Sequence, residues 1–276
     1  MQKRILSVQD ISCLGKCANT VALPVLSALG HECVVLPTAL LSAHTGIPGG
    51  SFLDLSGEME NILAHWQRLG LRFDAVLTGY FGSPGQMELV RSFLEGRELL
   101  RFVDPVLGDE GRLYSGYDGS LVAAMRRFCA GADVVTPNVT EAALLTGEPC
   151  GDDACGDAAL ERMLAGLFDL GVRRAVITGV RLGPDRIGIV GADRETGERL
   201  RLETPYAPVS LPGTGDVFAS ACVGALMNGK DLTGALKIAV DYTLECIRET
   251  QKDPEARWYG VSFEAAIPML VHSLGR

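Results

Sequence analysis

Short apolar runs alternate with longer amphipathic segments along most of this chain. The apolar runs predict buried strands at 5–8, 33–41, 73–78, 100–103, 132–135 and 172–178. Helical spacing predicts helices at 19–29, 58–69, 85–94, 121–129 and 158–170. Near-continuous apolar strands that alternate with helices are typical of an α/β fold with a mostly parallel sheet covered on both faces.

The pattern changes in the last third of the chain. Apolar segments at 187–190 and 200–202 flank the turn Glu195-Thr196-Gly197, which predicts a hairpin at an antiparallel edge of the sheet. From about Gly215 the chain is expected to be helical, with a late helix at 262–274. Because no linker or internal repeat interrupts this order, we expect a single domain over residues 1–276.

Polar and glycine residues follow four of the predicted strands. These strand exits are Gln9-Asp10, Thr78-Gly79-Tyr80, Asp104-Pro105 and Thr136-Pro137-Asn138. In open parallel sheets ligands bind beyond the carboxyl ends of the strands. The four exits are therefore candidates for a binding site.

The segment Leu211-Pro212-Gly213-Thr214-Gly215-Asp216 is the strongest candidate for chemistry. Its glycines permit unusual backbone conformations, and the following helix directs free N–H groups and its positive dipole end at the turn. Such a turn can bind phosphate. Asp216 in the first helical turn is expected to stay ionised at neutral pH and to accept a proton from an attacking hydroxyl. The alternative is a plain turn with a helix cap.

Composition, net charge and the absence of certain motifs disfavour several classes of protein. A net charge of −9 disfavours binding to nucleic acid, and no apolar stretch is long enough to predict a membrane span. The N-terminal residues lack the apolar region of a signal peptide, so a cytoplasmic location is expected. The eight cysteines form no C-x-x-C pair and are expected to be buried reduced thiols. No G-x-G-x-x-G follows the first strand, which disfavours an NAD-dependent oxidoreductase.

Five segments in this order resemble those of the ribokinase-like superfamily: the one at 213–216 resembles the superfamily's signature, those at 104–109 and 136–141 resemble its vitamin kinases, and those at 42–46 and 78–83 resemble its pyridoxal kinases. They are Ser42-Ala43-His44-Thr45-Gly46, Thr78-Gly79-Tyr80-Phe81-Gly82-Ser83, Asp104-Pro105-Val106-Leu107-Gly108-Asp109, Thr136-Pro137-Asn138-Val139-Thr140-Glu141 and Gly213-Thr214-Gly215-Asp216. Each is weakly specific alone, but together they span roughly residues 5 to 220 in the family's order. The resemblance implies a ribokinase-like fold and ATP-dependent phosphorylation of the 5′-hydroxyl of a B6 vitamer.

The resemblance also implies roles for individual residues. Asp216 would be the catalytic base, and Gly213, Thr214 and Gly215 would form the anion hole. ATP would be bound by Asp104, Asp109, Tyr114, Asn138, Glu141 and Thr178, with Asp104 and Glu141 organising Mg²⁺ partly through water. The vitamin would contact Asp10, His44, Thr45 and Tyr80. Asn138 and Glu141 also have the spacing of a helix capping box, and the two roles are compatible. A homodimer and use of a monovalent cation such as K⁺ are further expectations.

The chain departs from the family where pyridoxal kinases carry a serine after the first strand, in a segment like Q-S-x-V-x-x-G-x-x-G-N. Here that stretch begins Gln9-Asp10, while Gly15 and Asn19 are kept. The hypothesis is that the Asp10 carboxylate favours a protonated amine or pyridinium, through a charged hydrogen bond of ~1.5–3 kcal/mol. Alternatively, Asp10 caps a local turn.

Two other functions stay open at this point. One is a hydroxymethylpyrimidine kinase of the same superfamily, and the other is a catalytically silent nucleotide- or vitamin-binding protein. A sugar or nucleoside kinase is less consistent with the chain, because the N-terminal glycine and asparagine signature of those enzymes is absent.

Overall fold

The computed structural model describes residues 2–150, 155–208 and 211–275. Its strands are β1 (Arg4–Ser12), β2 (Glu32–Leu41), β3 (Phe52–Asp54), β4 (Ala75–Thr78), β5 (Leu100–Val103), β6 (Gly108–Asp109), β7 (Arg112–Leu113), β8 (Val134–Val135), β9 (Arg174–Gly183), β10 (Arg186–Asp193) and β11 (Arg199–Pro205). Its helices are α1 (Asn19–Ala28), α2 (Ser56–Arg68), α3 (Pro84–Leu94), α4 (Gly119–Cys129), α5 (Val139–Thr146), α6 (Asp157–Asp169), α7 (Thr214–Met227), α8 (Leu232–Lys252) and α9 (Phe263–Ser273).

The described residues divide into two compact units. The first unit comprises residues 2–82, 96–99 and 211–275, and the second comprises 83–95, 100–150 and 155–208. The prediction of a single ribokinase-like domain over 1–276 stays a prediction.

The first unit is built on the strand order β4-β1-β2-β3. The strand β1 is parallel to both β4 and β2, and only β3 runs antiparallel. Six of the nine residues of β1 are buried in succession, from Ile5 to Asp10, as expected for a central parallel strand. The carboxyl ends of β1 and β4 therefore meet at one edge, and Asp10 and Gly79 lie there.

The second unit has the strand order β11-β10-β9-β8-β5, with parallel pairing from β5 to β9. The strands β10 and β11 form the antiparallel edge that the turn at 195–197 predicted. Helix α5 begins after β8, and the small hairpin of β6 and β7 lies after β5. The mostly parallel α/β sheet class predicted from the sequence is confirmed.

One expectation about the chain was confirmed and another was wrong. The strand predicted at 33–41 is present as β2, which continues through Pro37 to Leu41. Cys150 and Cys155 are joined as a disulfide, so not all cysteines are reduced thiols. Their Cα atoms lie 5.4 Å apart, within the range that a disulfide spans.

The remaining cysteines are free, and they differ in exposure. Cys129, Cys222 and Cys246 are buried as expected, whereas Cys13 is exposed. No helix in the described ranges has both the length and the apolar character that a membrane span requires.

Candidate active site

The loop after β1 is folded back onto the strand end by Asn19. The Asn19 amide nitrogen donates to the carbonyl oxygens of Gln9 at 2.7 Å and of Asp10 at 3.1 Å. Its side-chain oxygen accepts from the Ser7 hydroxyl at 2.7 Å. With both functions of this buried amide satisfied, the backbone at Asp10 is held in one place.

Asp10 is a buried acid at the carboxyl end of β1, with 7% of its surface exposed. Its Oδ2 accepts a hydrogen bond from the Ser12 hydroxyl at 2.8 Å. Burial raises the pKa of Asp10 above its ordinary value, and the bond from Ser12 partly offsets that rise. A buried carboxylate that is not ion-paired favours a cationic or hydrogen-donating ligand.

Asp216 lies in the first turn of α7, and its carboxylate accepts a hydrogen bond from the backbone N–H of Ala18. Desolvation and, to a smaller extent, the negative charge of Asp10 raise the pKa of Asp216, the Ala18 N–H opposes the rise, and the net result is a pKa of about 7. The expectation that Asp216 stays fully ionised at neutral pH was therefore wrong. The helix dipole favours the ionised form of an acid in the first turn, but burial and the nearby Asp10 carboxylate, which the sequence does not show, raise its pKa. A pKa near the working pH is well suited to a general base.

The turn before α7 requires glycine at position 213. Gly213 has φ +83°, and a methyl group there would overlap the carbonyl oxygen of Lys16. No side chain caps the N-terminus of α7, so its first N–H groups are not consumed by a cap. The Thr214 hydroxyl donates to the carbonyl oxygen of Leu211 at 3.3 Å, which closes the turn. The arrangement is that of an anion-binding turn.

Sequence reasoning missed two neighbours of Asp216. Ala18, which supplies the N–H to Asp216, has φ 49° and ψ −134°, a conformation that favours glycine. The available signal was the second glycine of the family segment Q-S-x-V-x-x-G-x-x-G-N, which falls on Ala18. The Cys17 thiol is the other neighbour. Burial, followed by the charges of Asp216 and Asp10, raises its pKa, so this cysteine stays a neutral thiol beside the two carboxyl groups.

His44 presents an unpaired donor. Its Nδ1 accepts the backbone N–H of Gly46 at 3.0 Å, which leaves the ring hydrogen on Nε2. Burial lowers the pKa of His44 and keeps the ring neutral. The Nε2 atom is buried and has no hydrogen-bond partner. Gly15 packs against this ring, because a methyl group there would lie 2.8 Å from Cδ2.

The other two predicted substrate residues are placed differently. Tyr80 follows β4 and is half-buried, and its carbonyl oxygen accepts from the Thr38 hydroxyl at 2.9 Å. Gly79 beside it leaves room for Gln9, whose Oε1 would lie 2.8 Å from an added methyl group. Thr45 is exposed. The first unit thus brings Asp10 and Asp216 together.

In the second unit Asn138 and Glu141 form a capping box at the start of α5. The Glu141 N–H donates to Asn138 Oδ1 at 2.9 Å, and the Asn138 N–H donates to Glu141 Oε2 at 2.8 Å. The Leu107 N–H donates to Glu141 Oε1 at 3.1 Å, and the Asn138 amide donates to the Gly108 carbonyl at 2.8 Å. Burial, partly offset by hydrogen bonds from backbone N–H groups, raises the pKa of Glu141 to about 8. The segment after β5 is thereby fixed to α5.

The strands β6 and β7 are joined by a tight turn, and this turn contacts the start of α5. Glu110 has φ 50° and Gly111 has φ 75°, as in a type I′ hairpin turn. The Gly111 N–H donates to the Thr140 hydroxyl at 2.9 Å. Asp109 lies exposed in this hairpin, and Tyr114 follows it with 40% of its surface exposed.

Thr178 on β9 is tied to the same region. Its N–H donates to the Pro137 carbonyl at 2.8 Å, and it pairs with Asn138 as an isolated parallel bridge. The Thr136 hydroxyl is buried without a hydrogen-bond partner. Asp104 follows β5, and its carbonyl oxygen accepts the Val106 N–H at 3.0 Å. The second unit thus brings Asn138, Glu141 and Thr178 together at the carboxyl ends of its parallel strands.

Three comparisons with known proteins agree with this geometry. The family model described as phosphomethylpyrimidine kinase matches residues 58–257. The pyridoxal kinase PdxY of Rubrobacter xylanophilus is 31% identical, over 89% of this chain and 87% of its own length. The crystal structure of pyridoxal kinase from Lactobacillus plantarum superposes with a TM-score of 0.90 at 36% identity, covering 99% of this chain and 98% of that one.

A Bacteroides thetaiotaomicron protein described as a phosphomethylpyrimidine kinase, in a crystal form with pyridoxal, is also similar. It has a TM-score of 0.92 and 39% identity, covering 98% of this chain and 96% of that chain. The chain belongs to the pyridoxal kinase family of the ribokinase-like superfamily. The ribokinase-like fold predicted from the five segments is confirmed.

Proposed function

We propose that this protein is an ATP-dependent kinase that phosphorylates the 5′-hydroxyl of a B6 vitamer. The observation that carries the proposal is Asp216. Asp216 is half-buried at a helix N-terminus that has no side-chain cap, accepts a hydrogen bond from the Ala18 N–H, and has a pKa raised to about 7. The relatives named as pyridoxal kinases support the same activity.

In this reaction Asp216 accepts the proton of the 5′-hydroxyl as the oxygen attacks the γ-phosphorus of ATP. The N–H groups of Gly213, Thr214 and Gly215 stabilise the negative charge on the transferred phosphoryl oxygens. The bond to the β-phosphate breaks and ADP leaves. The residues of the second unit that we assign to ATP are Asp104, Asp109, Tyr114, Asn138, Glu141 and Thr178.

The donor atoms of the second unit fit magnesium held mainly by ATP. Carboxylates are hard oxygen donors, and Mg²⁺ bound with phosphates usually keeps several waters. Both Glu141 oxygens already accept backbone N–H groups, so Glu141 would hold the ion through water, beside Asp104. The buried, unpaired Thr136 hydroxyl is a further oxygen in this region. Bound magnesium would neutralise charge on the polyphosphate.

Asp10, His44, Thr45 and Tyr80 form the proposed vitamer-binding set. The free Nε2–H of His44 offers a donor, and the buried Asp10 carboxyl offers an acceptor. Asp10 would favour vitamers that present a protonated amine or pyridinium over those that do not. The Asp10→Ser variant restores the family's usual residue and is expected to lose roughly ten-fold of any such preference. Unchanged relative kcat/KM values across the three vitamers would remove Asp10 from the set.

The test of the function is a panel of pyridoxal, pyridoxine, pyridoxamine and hydroxymethylpyrimidine with ATP and Mg²⁺. Transfer of phosphate to a B6 vitamer, lost by orders of magnitude in Asp216→Asn with little change in nucleotide binding, is the expected result. Near-normal turnover in that variant would show that Asp216 is not the base. Binding without turnover in the wild-type protein would instead identify a silent binding protein.

Hydroxymethylpyrimidine phosphorylation is the second candidate. The family model and the Bacteroides structure carry the phosphomethylpyrimidine kinase description, which favours it. Exclusive turnover of the pyrimidine in the same panel would select this candidate. A homodimer, a cytoplasmic location and dependence on K⁺ are further proposals, which chromatography, fractionation and assays with K⁺ or Na⁺ would test.

A further inference from the structure

Arg181 near the end of β9 is held rigidly within the second unit. Its guanidinium carbon lies 3.5 Å from the ring centroid of Tyr206, and its Nη2 donates to the carbonyl oxygen of Pro184 at 2.9 Å. A planar guanidinium stacked on an aromatic ring is attracted by the electrons of the ring face. The ring and the carbonyl together fix the direction in which the remaining N–H groups point.

The Nη1 atom of this arginine is buried and has no hydrogen-bond partner. Among the described residues, no carboxylate forms an ion pair with Arg181. A buried donor on a permanently charged group that lacks an acceptor is unfavourable in general. Such an atom calls for an explanation, and a role in binding an anion is a common one.

The neighbours of Arg181 on β9 indicate the kind of ligand that it would bind. It lies three residues after Thr178, whose bridge to Asn138 ties β9 to the start of α5. Gly179, between them, has φ +68° and is exposed, so no side chain covers the strand at this point. Thr178 and Asn138 are among the residues assigned above to ATP. Anionic oxygens of a polyphosphate are the acceptors that a guanidinium binds best.

We infer that Arg181 is a nucleotide-binding residue whose Nη1 donates to a polyphosphate oxygen of bound ATP or ADP. This inference rests on the proposed kinase function, and none of the family segments found in the sequence contains Arg181. Tyr206 acts as a positioning residue through its ring. Arg181 contributes mainly to ground-state nucleotide binding, so its loss raises the KM for ATP more than it lowers kcat.

The test compares Arg181→Met, Arg181→Lys and Tyr206→Phe with the wild-type protein. ADP affinity is measured by calorimetry with Mg²⁺ present, and KM is measured separately for ATP and for the vitamer. A charged hydrogen bond corresponds to roughly ten-fold to a hundred-fold in affinity. We expect Arg181→Met to lose that factor for ADP and ATP, with less than about two-fold change in the vitamer KM. Arg181→Lys should recover part of the loss, and Tyr206→Phe, which keeps the ring, should lose little.

The matched control is Arg186→Met in the same hairpin. Arg186 is exposed, and its Nε lies 3.7 Å from Glu203 Oε2, so its charge already has a carboxylate partner. Its replacement should therefore leave ADP affinity unchanged. The rise in Tm on adding ADP provides a second readout, and it should be smaller in Arg181→Met than in Arg186→Met. Folding defects are separated from binding because each variant is compared with its own nucleotide-free Tm.

Three results would overturn the inference. Unchanged ADP affinity in Arg181→Met would show a role in the hairpin alone. An equal rise in the KM of ATP and of the vitamer would show a general structural defect. An equal loss of affinity for ADP and for adenosine would place the contact on the nucleoside. If the wild-type protein binds ADP but phosphorylates no vitamer, the proposed function fails while the Arg181 measurement stands.

Discussion

Replacing the proposed base should make the protein more stable at alkaline pH while it abolishes catalysis. The pKa of Asp216 is raised by burial from 3.8 to about 7 in the folded protein. The unfolded chain therefore releases this proton near pH 4, while the folded protein retains it until about pH 7. Stability from this group is fully present below pH 4 and is lost as pH rises through about 7.

The size of the effect follows from the pKa shift. A difference of about three pKa units corresponds to about 4 kcal/mol in the free energy of unfolding, at 1.36 kcal/mol per unit. The variant Asp216→Asn cannot ionise, and its amide oxygen can still accept the Ala18 N–H. We therefore expect Asp216→Asn to exceed the wild-type protein in stability by up to about 4 kcal/mol at pH 8, and by little at pH 4.

The assay is urea unfolding of both proteins, without ligands, at several pH values between 4 and 8. Acids away from the site, such as Glu141, titrate in both proteins, so the difference between the two curves reports Asp216 together with its coupling to Asp10. Glu60→Gln, which removes an exposed carboxylate on α2, serves as a control and should not change the pH dependence. If Asp216→Asn were no more stable than the wild-type protein at pH 8, the raised pKa of Asp216 would be wrong.

Three further predictions concern the surroundings of this base. In Asp10→Ser the pKa of Asp216 falls because a neighbouring negative charge is removed, so the acid limb of the kcat/KM profile should move to lower pH; an unmoved limb would contradict the coupling. Gly213→Ala should reduce kcat at least a hundred-fold and lower Tm, since the methyl group overlaps the Lys16 carbonyl, whereas Gly57→Ala, with open space around it, should do neither. Ala18→Gly should raise the free energy of unfolding by about 1 kcal/mol at preserved activity, because glycine relieves the positive φ; a loss of stability would show that Ala18 is unstrained.

The long periodic elements of this fold could be predicted from sequence, and the short ones could not. Helix α1 was expected at 19–29 and spans Asn19–Ala28, because its apolar spacing is regular. The strand β3 consists of three exposed residues, Phe52–Asp54, and has no buried face to create a pattern. The two-residue strands β6 and β7 are defined by the turn at Glu110 and Gly111 and not by hydrophobicity.

The residues of the candidate site could be named from sequence, but their electrostatic state could not. The position of Asp216 follows from glycines and helix periodicity, which are local features. Its pKa depends on burial and on Asp10, which is more than two hundred residues away in the chain. Arg181 gives no local signal either, since only the folded chain shows that it stacks on Tyr206 and leaves Nη1 unpaired.

The contact between Lys16 and α9 joins the loop near the proposed base to a helix that is synthesised much later. Lys16 donates to Glu264 on α9 at 2.8 Å, across 248 residues of chain, and its side chain packs against Gly260. At about 5–20 residues per second the ribosome needs roughly 12 to 50 seconds to make the intervening chain. Until α9 emerges, the loop that carries the Ala18 N–H lacks this anchor. A nascent chain is therefore expected to reach its full phosphorylating activity only after α9 has left the ribosome.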